Sequence, residues 1–479
     1  MDRSLAALTA LEGRDLIVSG EISPRMLLEA CIEQVAVANP VVNALVTEAF
    51  ERARQEADAA GSAIQRGEAL GALHGLPVAI KDNQLTEGVR TTFGSPSHRD
   101  MVPTVDAGIV ARIRAAGGIV IGKTNIPEFS IGANTINPLF GATGNPFDPK
   151  LTCGGSSGGS AVAVATNMVP LATGSDHGGS LRIPASYCGV VGYRATPGVV
   201  PNEERLMTLT NYSVQGPVAR TVTDAALLLS VIAGRSTGTR RDPMAFPLDA
   251  ARFAQLDTVD LSALRVAVTA DLGGVLVSRE NKEIFRQRVD RFAHHFRVCD
   301  WHDIDLTLAP GVDWHLRQDI FVTQYHDQAN NWPADFNPNI RATYESAVQT
   351  PMADIARARR TQVTLFREMN ALFDDYDLLV LPGMSIPPFP WADLNPREID
   401  GKPVENYMAW LALTSSLSVV GHPVVALPCG LDARGTPFGI QVVGPMYSDH
   451  ALLGAAHALE QAFSGDIHLR RPVAPMSLA

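Results

Sequence analysis

The sequence predicts an α/β protein, because short runs of apolar residues alternate along the chain with stretches that suit helices. Residues 76–80 and 119–121 have the apolar composition of buried strands, whereas residues 105–116 and 159–166 suit helices. The 479-residue chain is 46% hydrophobic and 19% charged, so it contains enough apolar material for a large core.

The first predicted helix begins at Ser23, since a serine N-cap followed by Pro24 at the first helical position is a favoured start. Apolar residues then recur at intervals of three and four as far as Val35. The pair Asn39-Pro40 is expected to end this helix, because proline cannot donate the backbone hydrogen bond that would continue it.

The next predicted elements are a strand, a helix and a second strand. Strand 76–80 leads into Lys81, helix 105–116 stops at Gly117, and strand 119–121 follows. Open α/β sheets hold ligands at the carboxyl ends of their strands, so Lys81 is a candidate functional residue.

The second half of the chain is rich in aromatic residues, and all of its tryptophans follow residue 300. The proline-rich stretch 381–396 is expected to form an ordered loop and not a central strand or a helix. The aromatic residues either pack in the core or an oligomer interface, or they line an apolar pocket. They are Trp301, Trp314, Trp332, Trp391 and Trp410, with Phe321, Tyr325, Phe336, Tyr344, Phe389 and Tyr407.

Composition excludes several classes of partner. A formal net charge of −11 without a basic run argues against nucleic-acid binding through phosphate contacts. No signal-peptide pattern is present and no uninterrupted apolar run reaches about 18 residues, so no membrane span is expected. Five scattered cysteines without a Cys-x-x-Cys pair predict reduced thiols in a cytoplasmic protein, without disulfides or zinc.

Two serines and one lysine carry the candidate chemistry. The chain reads CGGSSGGS from Cys153 and GSDHGGSLRIP up to Pro184, so that Ser156 and Ser180 lie 24 residues apart, each beside paired glycines. A lysine such as Lys81 and two serines are the parts of a serine hydrolase that needs no histidine. Glycines allow backbone N–H groups to approach a substrate oxygen closely.

Two other motif matches fail on their structural context. Residues 117–124 read GGIVIGKT and match the P-loop expression, but the predicted helix precedes the glycines and the strand lies inside the motif, opposite to a P-loop. Residues 154–158 match the G-x-S-x-G nucleophile elbow, but the preceding segment is loop-like where that motif needs a buried strand.

Longer motifs extend over most of the chain: GLPVAIKDN at 75–83, the segment 106–129, TGNPFD at 143–148, CGVVGYRATPGVVP at 188–201 and a weaker tail at 421–445. In this order and spacing they resemble the amidase signature family. The resemblance implies a single large α/β domain, residues 1–479, with a mixed central β-sheet covered by helices on both faces. Its expected parts are a helical segment at about 1–65, a catalytic core at 66–235, a variable substrate-pocket half at 236–420 and a return to the core at 421–479.

The resemblance also implies residue roles and no metal or cofactor. Ser180 is the expected nucleophile, Ser156 the bridging residue after a cis Gly155–Ser156 peptide bond, and Lys81 the base, active when neutral. The oxyanion hole is expected from the backbone N–H groups of His177, Gly178, Gly179 and Ser180. Cys153, Gly154 and Gly155 are expected to touch substrate, Ser157 to position its loop, and Asp176 and Arg182 to form a structural pair.

The expected reaction is hydrolysis of a small-molecule carboxamide to an acid and ammonia or an amine, and homodimers are common in the family. The clustered aromatic residues favour an apolar or aryl acyl group.

One alternative is the glutaminase subunit of a tRNA-dependent amidotransferase, which Ile183 and the stretch 196–206 disfavour, because that subunit usually has other residues there. A hydrolase of urea-type substrates such as biuret or allophanate remains open. His177 is unusual for the family and is either an inert filler or a titrating group beside the oxyanion hole.

Overall fold

The computed structural model describes residues 4–205, 207, 209–210, 212–234, 241–332 and 336–476. The helices of these residues are α1 Ala10–Ser19, α2 Pro24–Val42, α3 Phe50–Gln65, α4 Gly108–Ala115, α5 Gly158–Ala165, α6 Arg182–Cys188, α7 Val222–Ile232, α8 Arg279–Phe292, α9 Ala309–Tyr325, α10 Pro338–Ala347, α11 Met352–Asp375, α12 Ala412–Val420 and α13 Asp449–Ser464.

The strands are β1 Leu45–Glu48, β2 Pro77–Lys81, β3 Ile119–Thr124, β4 Ile136–Asn137, β5 Gly141–Ala142, β6 Leu171–Asp176, β7 Val191–Arg194, β8 Val214–Ala219, β9 Arg265–Val268, β10 Val298–Trp301, β11 Leu378–Pro382, β12 Glu398–Ile399, β13 Lys402–Pro403, β14 Val424–Leu431 and β15 Pro437–Val443. Within the described residues, eleven of them form one sheet in the order β1-β3-β2-β6-β8-β7-β14-β15-β11-β9-β10. β2 is parallel to β3 and β6, while the middle strands from β6 to β11 pair antiparallel, so the sheet is mixed.

Helices cover both faces of the sheet, because successive strand residues belong to different apolar clusters. In β2, Val78 and Ile80 pack in the cluster that contains α4, α7 and α13, whereas Ala79 packs in the one that contains α2, α3 and α5. In β11, Val380 and Leu379 are divided in the same way, the latter facing α9, α11 and α12. The predicted single α/β domain with a mixed, two-sided sheet is therefore confirmed.

Several predicted boundaries differ from the structure; strand β3, for example, extends to Thr124 instead of ending at residue 121. Helix α2 continues through Pro40 to Val42, because the proline lies in its last turn, and Asn43 with φ +51° ends it. Helix α4 begins only at Gly108. The loop expected from residue 381 begins after β11, whose last residue, Pro382, still pairs with Ile440 in the interior of the sheet.

The other expectations about the fold have separate outcomes. Ser23 caps α2 by accepting a hydrogen bond from the Met26 N–H, as predicted. In the described part of the chain no helix is long and apolar enough to cross a membrane. The division into four segments stays a prediction, and its boundary at 235/236 lies outside the described residues. The cytoplasmic location also stays a prediction.

Candidate active site

Lys81 lies at the carboxyl end of β2 and has no exposed surface. The parallel neighbour β6 ends at the same edge, which brings Ser175 to the lysine. Nζ of Lys81 lies 2.8 Å from Oγ of Ser156, 2.9 Å from Oγ of Ser157 and 2.9 Å from Oγ of Ser175. Burial lowers the pKa of Lys81 to about 7, against the opposing charge of Asp176. The lysine is therefore a candidate base at neutral pH.

Ser156 connects the lysine to an internal cavity. It is 1% exposed, follows a cis Gly155–Ser156 peptide bond as expected, and lines the cavity. Its neighbour Ser157 precedes α5 and holds the loop against the end of β6: its N–H donates to the Ser180 carbonyl at 3.2 Å, and its hydroxyl lies 3.3 Å from the Ser175 carbonyl. Ser157 thus positions the loop, as predicted, and contacts Lys81 as well.

Ser180 lies in the turn between β6 and α6 and lines the same cavity. Its backbone is tied to the Ser156 loop by the Ser157 hydrogen bond, so the two serine motifs share one wall. Between the described side chains of Ser156 and Ser180 there is no direct hydrogen bond. Hydrogen bonds at catalytic sites are commonly loose before substrate binds, and the shared wall leaves Ser180 as the candidate nucleophile.

Asp176 organises the turn that carries Ser180. Its carboxylate accepts hydrogen bonds from the Gly179 N–H at 2.9 Å and the Leu181 N–H at 3.2 Å, and it pairs with Arg182 at 3.0 Å and Arg194 at 3.1 Å. Burial alone would raise the pKa of this carboxyl, but the two guanidinium groups hold it well below its usual range. The structural pair predicted for Asp176 and Arg182 is present.

One part of the expected oxyanion hole needs correction. The Gly179 N–H donates to Asp176 and is occupied. In the described part of the chain, the N–H groups of His177, Gly178 and Ser180 have no protein partner, and all three residues line the cavity. These three groups are the available donors for a developing oxyanion.

Replacing Asp176 with alanine is expected to reduce the free energy of unfolding by about 3–5 kcal/mol, because two fully buried guanidinium groups would lose their carboxylate. Urea titration followed by circular dichroism measures this change. A matched surface change, Glu68→Ala, removes the exposed pair with Arg66 and should leave the free energy of unfolding almost unaltered. Equal stability of the two variants would contradict the role assigned to Asp176.

The cavity beside the two serines has a volume of about 770 Å³. Its aromatic wall is formed by Phe93, Phe129, Phe321, Tyr325, Trp332 and Phe336. Trp332 stacks on Phe336 with ring centroids 4.7 Å apart, and Phe129 lies 5.7 Å from Phe336. Phe93 and Phe129 have φ values of +54° and +52°, which bulky residues rarely adopt, and the Phe129 N–H donates to the Phe93 carbonyl at 2.7 Å.

The aromatic residues of the second half of the chain are divided between the two expected locations, the core and the wall of a cavity. Of the tryptophans, Trp332 lines the cavity, Trp410 is fully buried in a core cluster and Trp301 is 49% exposed. Tyr344 and Phe389 also lie outside the cavity wall. Five aromatic residues of the predicted set do line it: Phe321, Tyr325, Trp332, Phe336 and Tyr407.

Cys153, Gly154 and Gly155 do not line the cavity, and their contact with substrate stays a prediction. The Gly154 carbonyl accepts a hydrogen bond from Thr135, and a Cβ on Gly155 would meet the Ala133 backbone at 3.0 Å. This segment is turned into the core. Burial raises the pKa of the Cys153 thiol to about 12, which leaves it protonated and weakly nucleophilic at neutral pH.

Neither the P-loop match at 117–124 nor the nucleophile-elbow match at 154–158 has the structure that its motif requires, as expected. Residues Gly122, Lys123 and Thr124 belong to β3, and Nζ of Lys123 is buried among Gln84 and two threonines, so no phosphate cradle is formed. No described strand leads directly into Ser156, as an α/β-hydrolase elbow would require.

Sequence reasoning missed three kinds of residue at the site. Ser175 contacts Lys81 but has no glycine pair beside it to mark it. Phe93 and Phe129 belong to the first half of the chain, away from the aromatic cluster. Arg317 lines the cavity, and the one available signal was its i, i+4 spacing from Asp313 on α9.

Comparisons with known proteins agree with this site. The family model described as Amidase matches residues 26–453. The chain is 32% identical over 471 residues to an acylamidase of Rhodococcus erythropolis, covering 96% of each chain. It is 33% identical over 489 residues to a glutamyl-tRNA(Gln) amidotransferase subunit of Moorella thermoacetica, covering 97% of this chain and 98% of the relative. The crystal structure of a bacterial aryl acylamidase matches with a TM-score of 0.86 and 27% identity, covering 95% of this chain and 96% of that one.

The fold and the site therefore define an amide-hydrolysing enzyme. The chain belongs to the amidase signature family. Its relatives include both acylamidases and amidotransferase subunits, so family membership alone leaves the substrate unassigned.

Proposed function

We propose that this chain is an amidase that needs no partner subunit and uses Ser180, Ser156 and Lys81 to form and hydrolyse an acyl-enzyme. The observation that carries the proposal is the contact of buried Lys81 with Ser156 at 2.8 Å, while Ser156 and Ser180 both face the cavity. A lysine whose pKa is lowered to about 7 is partly neutral at physiological pH and can accept a proton.

The contacts of Lys81 are compatible with the proposed relay. A neutral amine has two protons and one lone pair, so three hydroxyl neighbours require two donated bonds and one accepted bond. The Ser157 hydroxyl can donate to the Ser175 carbonyl, so its oxygen can accept from Lys81, and the Ser175 oxygen accepts from the Asn83 amide and keeps a second lone pair for Lys81. In the proposed relay Ser156 donates to the lysine lone pair, and its oxygen can accept the proton of Ser180.

The reaction follows from this arrangement. Ser180 Oγ attacks the amide carbon while its proton moves to Ser156 and the Ser156 proton moves to Lys81. The oxyanion accepts hydrogen bonds from the N–H groups of His177, Gly178 and Ser180. The proton returns through Ser156 to the nitrogen as the C–N bond breaks, and a water molecule releases the acid by the reverse path.

The aromatic wall supports an apolar or aryl acyl group. Its six rings give a continuous apolar surface of defined shape beside the serines, and aromatic rings of a ligand gain area burial and edge-to-face contacts there. One similar structure is that of an aryl acylamidase and one relative is an acylamidase, and the first of these names includes an aryl group. The glutaminase role is a second candidate, because a relative at 33% identity belongs to an amidotransferase.

The purified chain alone is expected to hydrolyse an anilide such as benzanilide, with release of aniline measured by absorbance. Glutamine and biuret should be hydrolysed at least about tenfold more slowly in kcat/KM, because neither offers an apolar group to the wall. Protein prepared in the same way with Ser180→Ala is the control for contaminating amidases. Activity on glutamine that appears only with added partner subunits would favour the amidotransferase role, and a preference for biuret would favour a urea-type hydrolase.

A further inference from the structure

A second wall of the cavity is polar and centres on Arg317. This residue of α9 is 5% exposed and lines the cavity beside Tyr407. A Cβ placed on Gly178 would come within 3.1 Å of the Arg317 Nη2 atom, so the guanidinium packs against the backbone of the turn that carries Ser180.

The guanidinium is poorly satisfied by the protein. Among the described residues, Nε of Arg317 has no hydrogen-bond partner, Nη1 lies 3.5 Å from the Tyr407 hydroxyl, and Nη2 lies 3.6 Å from Oδ2 of Asp313, beyond normal hydrogen-bond distance. Arg182, which has no exposed surface, makes short contacts to Asp176, Thr414, Gln441 and Ser418. Buried polar groups are nearly always paired, so the loosely held donors of Arg317 are available to a polar group in the cavity.

Neighbouring atoms share this deficiency. In the described part of the chain, Nε2 of His177 is buried without a hydrogen-bond partner, and the buried carboxylate of Asp313 has only the loose contact with Arg317 and the neighbouring Ser415 hydroxyl. His177 stacks on Tyr212, with ring centroids 5.1 Å apart. Burial, together with the charges of Arg317 and Arg194, keeps the pKa of His177 well below its usual range, so this ring is neutral.

The charges around Arg317 are arranged so that its positive face meets the cavity. Asp313 pairs with it from one turn earlier on α9 and does not line the cavity. Arg194 is a second cation nearby and is paired with Asp176, whereas His177, Tyr212 and Tyr407 are uncharged at neutral pH, since burial lowers the pKa of the histidine and raises the pKa of both tyrosines. A ligand in the cavity therefore meets a guanidinium fork with free N–H donors, the group that suits a carboxylate.

We propose that Arg317 binds a carboxylate of the substrate, and that the preferred substrates are amides with an aryl or apolar group on one side and a carboxylate close to the scissile bond. This inference deepens the proposed amidase function and rests on it. Gly178 and Ser180 are two residues apart, a span of at most about 7 Å. A carboxylate held by Arg317 is thus only a few bonds from a carbonyl attacked by Ser180.

Two pairs of probes test the proposal and separate the two sides of the amide. Hippurate carries an aryl acyl group and a carboxylate on the departing amine, and its uncharged counterpart is N-isobutylbenzamide. Succinanilate carries the carboxylate on the acyl side, and its counterpart is 4-methylpentananilide. In at least one of the two pairs, kcat/KM for the acid is expected to be about 10- to 100-fold higher than kcat/KM for its uncharged counterpart. A difference of this size is typical of a hydrogen bond to a charged group. Equal rates within both pairs would overturn the proposal.

Substitution of the arginine gives the decisive comparison. Arg317→Gln should abolish the preference for the acid, so that the acid and its uncharged counterpart have similar kcat/KM values in the variant, and Arg317→Lys should restore part of the preference. Arg205→Gln is the matched control, because Arg205 lines the same cavity but donates to Thr210, Ser213 and Asp242. Loss of the acid preference in Arg205→Gln with retention in Arg317→Gln would reject Arg317 as the anchor.

A binding measurement keeps this proposal separate from the catalytic one. Calorimetry of the Ser180→Ala protein should detect the preferred acid and show about 10- to 100-fold weaker binding when Arg317→Gln is added. If circular dichroism shows that the Arg317→Gln protein is unfolded, the same binding measurement is made with Arg317→Lys. Arg317-dependent binding without turnover in the wild type would sink the proposed amidase function alone, whereas turnover with binding indifferent to Arg317 would sink the carboxylate site alone.

Discussion

Replacing Ser180 with alanine is expected to reduce kcat for an anilide by a factor on the order of 10⁶, the loss typical when a serine hydrolase loses its nucleophile. The deleted oxygen is the atom that forms the acyl-enzyme. The fold should remain intact, because no described hydrogen bond of the protein depends on this hydroxyl. Steady-state rates measure the loss, and thermal unfolding verifies the fold.

A chemical readout identifies the nucleophile independently of rate. A fluorophosphonate should label the wild-type protein once, and peptide mass spectrometry should place the adduct on Ser180. Ser213→Ala is the matched control, since Ser213 also lines the cavity and only its backbone carbonyl is used, by Arg205. An adduct on another residue, or wild-type turnover by Ser180→Ala, would remove Ser180 from the proposed role.

Replacing Lys81 with methionine should lower kcat/KM by about 10²- to 10⁴-fold, the usual contribution of a general base. In the wild type, kcat/KM should rise as pH increases through about 7 and then level off, because only the neutral form of Lys81 accepts a proton and burial lowers its pKa to about 7. The variant should lose this rise. A wild-type rate that is constant from pH 5.5 to 9 would be incompatible with the assignment.

Lys123 provides the matched control for the lysine. Burial lowers its pKa to about 7 as well, and it lies one strand away in β3. Its Nζ contacts the Gln84 carbonyl, Thr86 and Thr91, away from the serines. Lys123→Met should reduce stability, because these acceptors lose their donor, while the pH dependence of the remaining activity stays that of the wild type.

Local sequence was sufficient for the parts of the site that depend on short motifs. The glycines around Ser156 and Ser180 and the strand before Lys81 are features of a few consecutive residues, and their chemistry follows from residue type. The alternation along the chain of buried strands, such as β2 and β3, with stretches that suit helices likewise predicted an α/β domain. Helix ends were less predictable, because Pro40 is tolerated in the last turn of α2, where few helical hydrogen bonds depend on it.

The substrate side of the cavity could not be predicted from the sequence. Phe93, Phe129 and Arg317 are far apart along the chain and meet only through the packing of α9 and the loops against the sheet. Arg317 and Asp313 have the spacing of an ordinary surface ion pair, and only their burial distinguishes them. The contact of Ser175 with Lys81 likewise follows from strand adjacency, since β2 and β6 pair in parallel.

The complete burial of Lys81 has a consequence for the path of protons during turnover. Serine hydroxyl groups separate the amine from the cavity, so the proton removed from the nucleophile passes along hydroxyl groups and is not released directly into bulk water. In acylation the departing amine takes that proton away, and in deacylation the attacking water supplies the proton that returns to the nucleophile. Each half-reaction thereby returns the one proton that it loads onto the lysine, and the net contribution of solvent is the water molecule that frees the acid.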